Sequence, residues 1–210
     1  TDTVLFEKAE LTSGSTWHAA GQIAHAVGSR LSGWINKPSI ATSKRVAPAP
    51  GHRLGWHAVG GFRVASDDDE VDWMKSIMGV GRLLDLPMEL VGPEDVKKGN
   101  PFYNTEGMKA AVHTFEDGHI DPSSVTQALA LAARNRGAKI ERRSLITGAA
   151  RKGYMWRLTT DNGEEVLAEH VVIAAGSYAN QVGAWFGLKI PSVSCLHHYL
   201  VTDTVQEFLD

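Results

Sequence analysis

Apolar and polar positions alternate with two different periods along the chain, and the changes of period mark its elements. Val4-Leu5-Phe6-Glu7 is a short apolar run that predicts a buried strand. A small, polar turn follows at Leu11-Thr12-Ser13-Gly14-Ser15-Thr16, and a helix is expected from Ala19 to about Arg30. The stretch 38–52 holds Pro38, Pro48, Pro50 and Gly51 and reads as loop, since Pro in a helix interior costs about 3 kcal/mol. Gly61-Phe62-Arg63-Val64-Ala65 predicts a strand. Ser66 is placed as the cap of a helix whose first turn is Asp67, Asp68, Asp69 and Glu70, where carboxylates meet the positive end of the dipole. Trp73, Met74, Ile77, Val80, Leu83 and Leu84 continue it at helical spacing, and Trp73, Ile77 and Leu84 are expected to pack. That acidic run is read as a helix start and not as a metal site.

A second rhythm begins at Gly118-His119-Ile120-Asp121-Pro122. Pro122 suits the first turn of a helix capped by Asp121, with Val125, Leu129 and Ala132 as its buried stripe and Gly137 at its end. Lys139-Ile140-Glu141-Arg142 predicts a strand. Met155 to Thr159, a turn at Asp161-Asn162-Gly163, and Glu165-Val166-Leu167 predict a hairpin. His170 to Gly176 is apolar and ends in small residues, which predicts a fully buried strand. The β-α-β spacing on either side of the middle segment implies an α/β fold with an insertion.

Composition removes several classes of function. The chain has 210 residues, and 21 Lys plus Arg against 24 Asp plus Glu leave a formal charge of -3, so nucleic acid and anionic lipid are not expected partners. The composition, 43% hydrophobic and 21% charged, is that of a globular domain. The longest apolar stretch, around Val171 to Ala175, is far shorter than the roughly 20 residues of a membrane span. Cys195 is the single cysteine, so no internal disulfide or CxxC pair exists and a reducing compartment fits best. Thr1 opens the chain directly before a strand, and a fragment or processed chain is expected.

Two segments offer chemistry. Glu7, at the end of the first strand, stands where an acidic residue of a dinucleotide-binding fold accepts hydrogen bonds from ribose hydroxyls, although a strand-end acid is also an ordinary surface group. The glycine fingerprint of that fold belongs about 20 residues earlier. Gly79-Val80-Gly81 lies inside a predicted helix and is a decoy. The second segment is Thr12-Ser13-Gly14-Ser15-Thr16-Trp17-His18-Ala19-Ala20-Gly21. Its small and hydroxyl residues offer donors to a pyrophosphate, and its small residues let a planar ligand approach the backbone.

Leu11 through Gly21, with Glu7-Lys8 before it, resembles the flavin-attachment segment of the dimethylglycine and sarcosine dehydrogenase family, a branch of the D-amino-acid-oxidase-like FAD enzymes. The likeness extends through Gly118-His119-Ile120-Asp121-Pro122, Ala174-Ala175-Gly176 and His198-Tyr199-Leu200-Val201-Thr202. The resemblance implies an α/β fold of mixed α+β character. A Rossmann-like FAD-binding domain would cover 1–55 and 116–210, a substrate-domain segment would be inserted at 56–115, and the whole would be incomplete at both ends. It implies FAD joined covalently to His18, and Glu7 and Lys8 at the adenosine ribose. Gly14, Ser15, Thr16, Trp17, Ala19, Ala20, Gly21 and Gln22 would surround the pyrophosphate and isoalloxazine. Ile146 would meet the adenine through its backbone, and Ala175, Gly176 and Tyr178 would lie along the flavin, Tyr178 where the family usually has Trp. His198 and Tyr199, expected on a strand, would line the substrate side as catalytic residues. No metal is implied: His197 beside His198 lacks a further ligand at a suitable spacing. Among His25, His52, His57, His113, His119 and His170, only His119 is placed toward the flavin.

By the same resemblance, the function is oxidation of a small N-methyl amine. An electron-transfer flavoprotein would be the acceptor, and tetrahydrofolate would enter only through a further C-terminal domain. The site of action would be the cytoplasm, or the mitochondrial matrix in a eukaryote. The alternatives are an oxygen-using oxidase of the glycine or sarcosine type and a non-catalytic flavoprotein fragment. Ala41 to His52 departs from the family, where a continuous helix is usual, through divergence or a shifted reading frame.

Overall fold

The computed structural model describes residues 2–25, 29–46 and 57–204, with backbone alone over 43–46. It divides into two compact units, Thr1–Arg143 and Ser144–Asp210.

In the first unit, β1 (Val4–Glu7) is a strand as its apolar run predicts. Its Val4 and Leu5 are, however, exposed, so the expected burial is absent. The helix expected from Ala19 does not form. Thr16–His18 is instead a single 3-10 turn, Ala19 is extended, and β2 (Gln22–Ile23) follows. Gly21 interrupts any helix there with a left-handed φ of 76°.

The helix appears further on, as α1 (Arg30–Val46), and it contains Pro38. The loop expected from Pro38 is therefore corrected over 38–46, while the part at 47–52, with Pro48, Pro50 and His52, lies outside the described residues. Tertiary docking outweighs the roughly 3 kcal/mol that an internal proline costs. Ile40 is buried, the Asn36 side chain donates to the Ala24 carbonyl at 3.1 Å, and Lys37 donates to the Leu84 carbonyl at 2.7 Å.

The middle of this unit is an antiparallel sheet of three strands, β3 (Gly61–Ala65), β4 (Met88–Val91) and β5 (Ala110–Thr114), with β5 central. Between β3 and β4 runs α2 (Asp68–Leu83), and α3 (Pro93–Gly99) follows β4. The cap of α2 is Asp67, whose side chain accepts from the Glu70 N–H, and not Ser66. Met74 packs on Ala65 and Val112, with Val71, Met78 and Met88 around them. Trp73 is 47% exposed and lies outside that cluster, because its position falls on the flank of the buried stripe Met74, Ile77 and Gly81. Gly79 and Gly81 lie inside α2, as read, and Gly81 makes room for the Met88 sulfur.

The unit closes with β6 (Gly118–His119), α4 (Pro122–Arg134) and β7 (Lys139–Arg142). Asp121 caps α4 and Pro122 opens it, as expected. Its buried face is carried by Ala128 and Ala130, with Val125 half-buried, whereas Leu129 is 45% exposed. β7 pairs in parallel with β1, Val4 opposite Lys139, which is the β-α-β relation inferred from spacing.

The second unit is a meander of β8 (Ile146–Lys152), β9 (Met155–Thr160) and β10 (Glu165–Ala168), in the order β10-β9-β8. The predicted hairpin is β9–β10; β8 adds a strand that the alternation left unread. A 3-10 turn at Gly176–Tyr178 leads into α5 (Ala179–Ala184). The buried strand expected at His170 to Gly176 is not one: 170–175 carries no ladder, and Val172 is 88% exposed. An apolar run becomes a strand only when a neighbouring strand takes its backbone N–H and C=O groups, and among the described residues no strand pairs with it. The same correction applies to His198 and Tyr199, expected on a strand with Leu200, Val201 and Thr202. They lie in an exposed stretch without secondary structure.

Candidate functional site

The candidate site in the first unit starts at the end of β1. One carboxylate oxygen of Glu7 accepts from the Ala9 N–H at 2.9 Å, and a carboxylate has sites for further donors. Lys8 beside it is exposed. The chain then turns through Glu10, whose carboxylate meets Arg142 at 2.6 Å and Arg143 at 2.8 Å. Desolvation opposes ionisation of Glu10, but the two guanidinium bonds outweigh it and hold its carboxyl below the usual range. This ion-pair cluster ties the loop after β1 to the end of β7, so the strand ends that present Glu7 are joined on both sides.

The turn itself is strained and open. Thr12 has φ 77°, a left-handed conformation that costs a β-branched residue free energy and that concentrates at functional sites. Ser13 to Ala20 are all exposed, and a Cβ at Gly14 would meet nothing within 4 Å. The His18 N–H donates to the Ser15 carbonyl at 3.2 Å and the Ala19 N–H to the Thr16 carbonyl at 3.1 Å, which winds the 3-10 turn. Winding presents the Trp17 and His18 rings together, centroids 3.7 Å apart and planes 36° apart. The His18 imidazole thus stands on an exposed corner, backed by an indole.

The exit from the turn is tightly built. Gly21 accepts from the Ile120 N–H at 2.9 Å, and β2 pairs with β6 through Gln22–His119 and Ile23–Gly118. His119 also forms a backbone bridge to His57, and their rings stack at 4.7 Å. Beyond β2 the His25 N–H donates to Asp117 Oδ1 at 2.8 Å, and His25 Nδ1 lies 2.9 Å from the same oxygen. This buried pair carries no sequence signal, because its members are 92 positions apart.

The other predicted residues belong to the second unit. Ile146 opens β8 opposite Thr160. Ala175 is half-buried, Gly176 has φ 53°, and Tyr178, at the end of its 3-10 turn, is 52% exposed. His198, Tyr199 and Cys195 are exposed. No metal-binding group of His, Cys, Asp or Glu occurs among the described residues. Among those residues, too, no helix is long and apolar enough to cross a membrane.

These residues are compatible with FAD. A strand-end carboxylate, an open small-residue turn with hydroxyls, and an exposed imidazole form the donor and acceptor set that a ribose, a pyrophosphate and an electrophilic ring system call for. The chain is similar to known proteins over most of its length. The family model described as FAD dependent oxidoreductase (DAO) matches residues 1–209. Human mitochondrial dimethylglycine dehydrogenase is 35% identical over 207 residues, covering 98% of this chain and 24% of the relative. Human mitochondrial sarcosine dehydrogenase is 30% identical over 225 residues, covering 97% and 23%. The crystal structure of L-proline dehydrogenase from P. horikoshii superposes with a TM-score of 0.83 at 25% identity, covering 90% of this chain and 50% of that one. The chain therefore spans about a quarter of the length of these two curated relatives. It belongs to the DAO family of FAD-dependent oxidoreductases.

Proposed function

We propose that the protein to which this chain belongs oxidises a small N-methyl amine, of the dimethylglycine or sarcosine kind, using FAD held covalently by His18. The observation that carries the reading is the exposed His18 imidazole, set on a 3-10 turn between the strained Thr12 and the left-handed Gly21. The relatives named for these amines support the substrate class.

Glu7 and Lys8 would hold the adenosine ribose, and Ile146 would meet the adenine. Gly14, Ser15, Thr16, Trp17, Ala19, Ala20, Gly21 and Gln22 would surround the pyrophosphate and ring system, completed by Ala175, Gly176 and Tyr178. When bound, FAD supplies the two-electron acceptor for the C–H bond of the amine. A neutral imidazole is a competent nucleophile near neutral pH. Joining His18 to the 8α carbon removes the imidazole N–H and one methyl C–H. Two protons leave to water, and two electrons pass to an oxidant such as dioxygen. His198 and Tyr199 would orient the amine and receive its proton. Electrons would leave to an electron-transfer flavoprotein, and a folate-binding region, where present, would take up the one-carbon product. The relatives named as mitochondrial support a mitochondrial site of action in a eukaryote.

Acid precipitation of the full-length protein tests this reading. Flavin is expected in the pellet and on the tryptic peptide that contains His18, and in His18→Ala it should become extractable. Flavin that washes out of the unmutated protein, or that maps to Cys195, would end the proposal.

A further inference from the structure

The exit of the His18 turn is held at both ends of a very short ladder. β2 and β6 contribute two residues each, and so small a ladder specifies its own register weakly. At one end the Ile120 N–H donates to the Gly21 carbonyl at 2.9 Å. At the other end Asp117 Oδ1 takes the His25 N–H at 2.8 Å and lies 2.9 Å from His25 Nδ1. Both residues of that pair are buried, with His25 at 3% and Asp117 at 8% exposure. Asp117 is itself fixed, because its carbonyl accepts from the Gly60 N–H at 2.9 Å and its side chain packs on Gly61. Glu116 Oε2 stands 3.9 Å from His25 Nε2. A buried polar pair is a weak source of net stability compared with apolar packing, and its best-attested use is to specify one arrangement. Here the arrangement is the register of β2 on β6. A slip by one residue would exchange the faces of Gln22 and Ile23 and displace the turn before them.

We propose that His25 and Asp117 are a positioning pair, which holds the turn bearing His18 in the place where its imidazole meets the flavin. The inference rests on the proposed role of His18 and adds no chemical step to it. Misplacement of a reacting group by about 1 Å can cost on the order of 100-fold in rate, so attachment of flavin is the sensitive readout.

The test measures the share of flavin that stays with acid-precipitated full-length protein, together with its Tm. In Asp117→Ala this share should fall at least about fivefold. Asp117→Asn keeps an oxygen for the His25 N–H and should recover at least about half of it. Val96→Ala, which truncates a buried side chain of α3, should lower the Tm and leave the share unchanged. An unmutated share in Asp117→Ala, or an equal loss in Val96→Ala at matched Tm, would overturn the proposal. If Asp117→Ala yields no folded protein, His25→Gln is read against the same thresholds. If the unmutated protein releases all its flavin, the covalent reading fails by itself. The pair is then read from the affinity for added FAD: about fivefold weaker in the variants supports positioning, and unchanged affinity refutes it.

Discussion

Gly21 lies against Ile120 so closely that a Cβ on Gly21 would come within 2.0 Å of the Ile120 carbonyl oxygen. The same glycine has φ 76°, so two independent constraints exclude a side chain at the point where the His18 turn enters β2.

Gly21→Ala is therefore expected to cost about 3 kcal/mol, about 1 from the left-handed conformation and the rest from overpacking. Gly163 provides the comparison. It has φ 85° in the β9–β10 turn, but a Cβ there would meet nothing within 4 Å, and Gly163→Ala should cost only about 1 kcal/mol. Urea unfolding of the two variants checks the ranking, and equal costs would show that the Ile120 contact yields.

Helix α2 offers a second contrast between adjacent residues. Met74 is 1% exposed and Trp73 is 47% exposed with the Arg63 guanidinium 5.2 Å from its ring centroid. Met74→Ala should cost about 2–5 kcal/mol as a core truncation. Trp73→Ala should cost about 1 kcal/mol, the scale of a partly exposed cation–π contact and its packing. Thermal unfolding of the pair tests this, and a larger loss from Trp73→Ala would move the buried face of the helix.

The cap of α4 predicts a pH dependence. Hydrogen bonds donated by Ser124, first by its hydroxyl and then by its backbone N–H at 2.7 Å, hold the Asp121 carboxyl below the ordinary aspartate range. A depressed folded-state pKa contributes stability that is present above the unfolded aspartate value and is lost as pH falls through the folded one. The difference in stability between the parent and Asp121→Asn should therefore be constant near neutrality and shrink below about pH 4. Asp121→Ala should cost about 1 kcal/mol at neutral pH. A difference that grows on acidification would show that the carboxylate is not the stabilising form.

The sequence by itself determined the elements whose signals are local. Asp121-Pro122 starts α4 because an N-cap acceptor and a fixed φ act within one turn, and Asn162-Gly163 closes β9 on β10 because the left-handed residue is written in the chain. The segment from Thr12 to Gly21 was also legible as a candidate site, since an unusual run of small residues, hydroxyls and one imidazole needs no neighbours to be noticed. Tertiary structure decided what depends on a partner. α1 runs through Pro38 because Asn36, Lys37 and Ile40 dock on distant residues, and Trp73 stays outside because the buried stripe of α2 is set by β3 and β5. The run from His170 to Gly176 has the composition of a strand and none of its ladder, because strand formation requires a second chain segment to take the backbone groups. The His25–Asp117 pair belongs wholly to the fold: 92 positions separate its members, and only the meeting of β2 with β6 brings carboxylate and imidazole together.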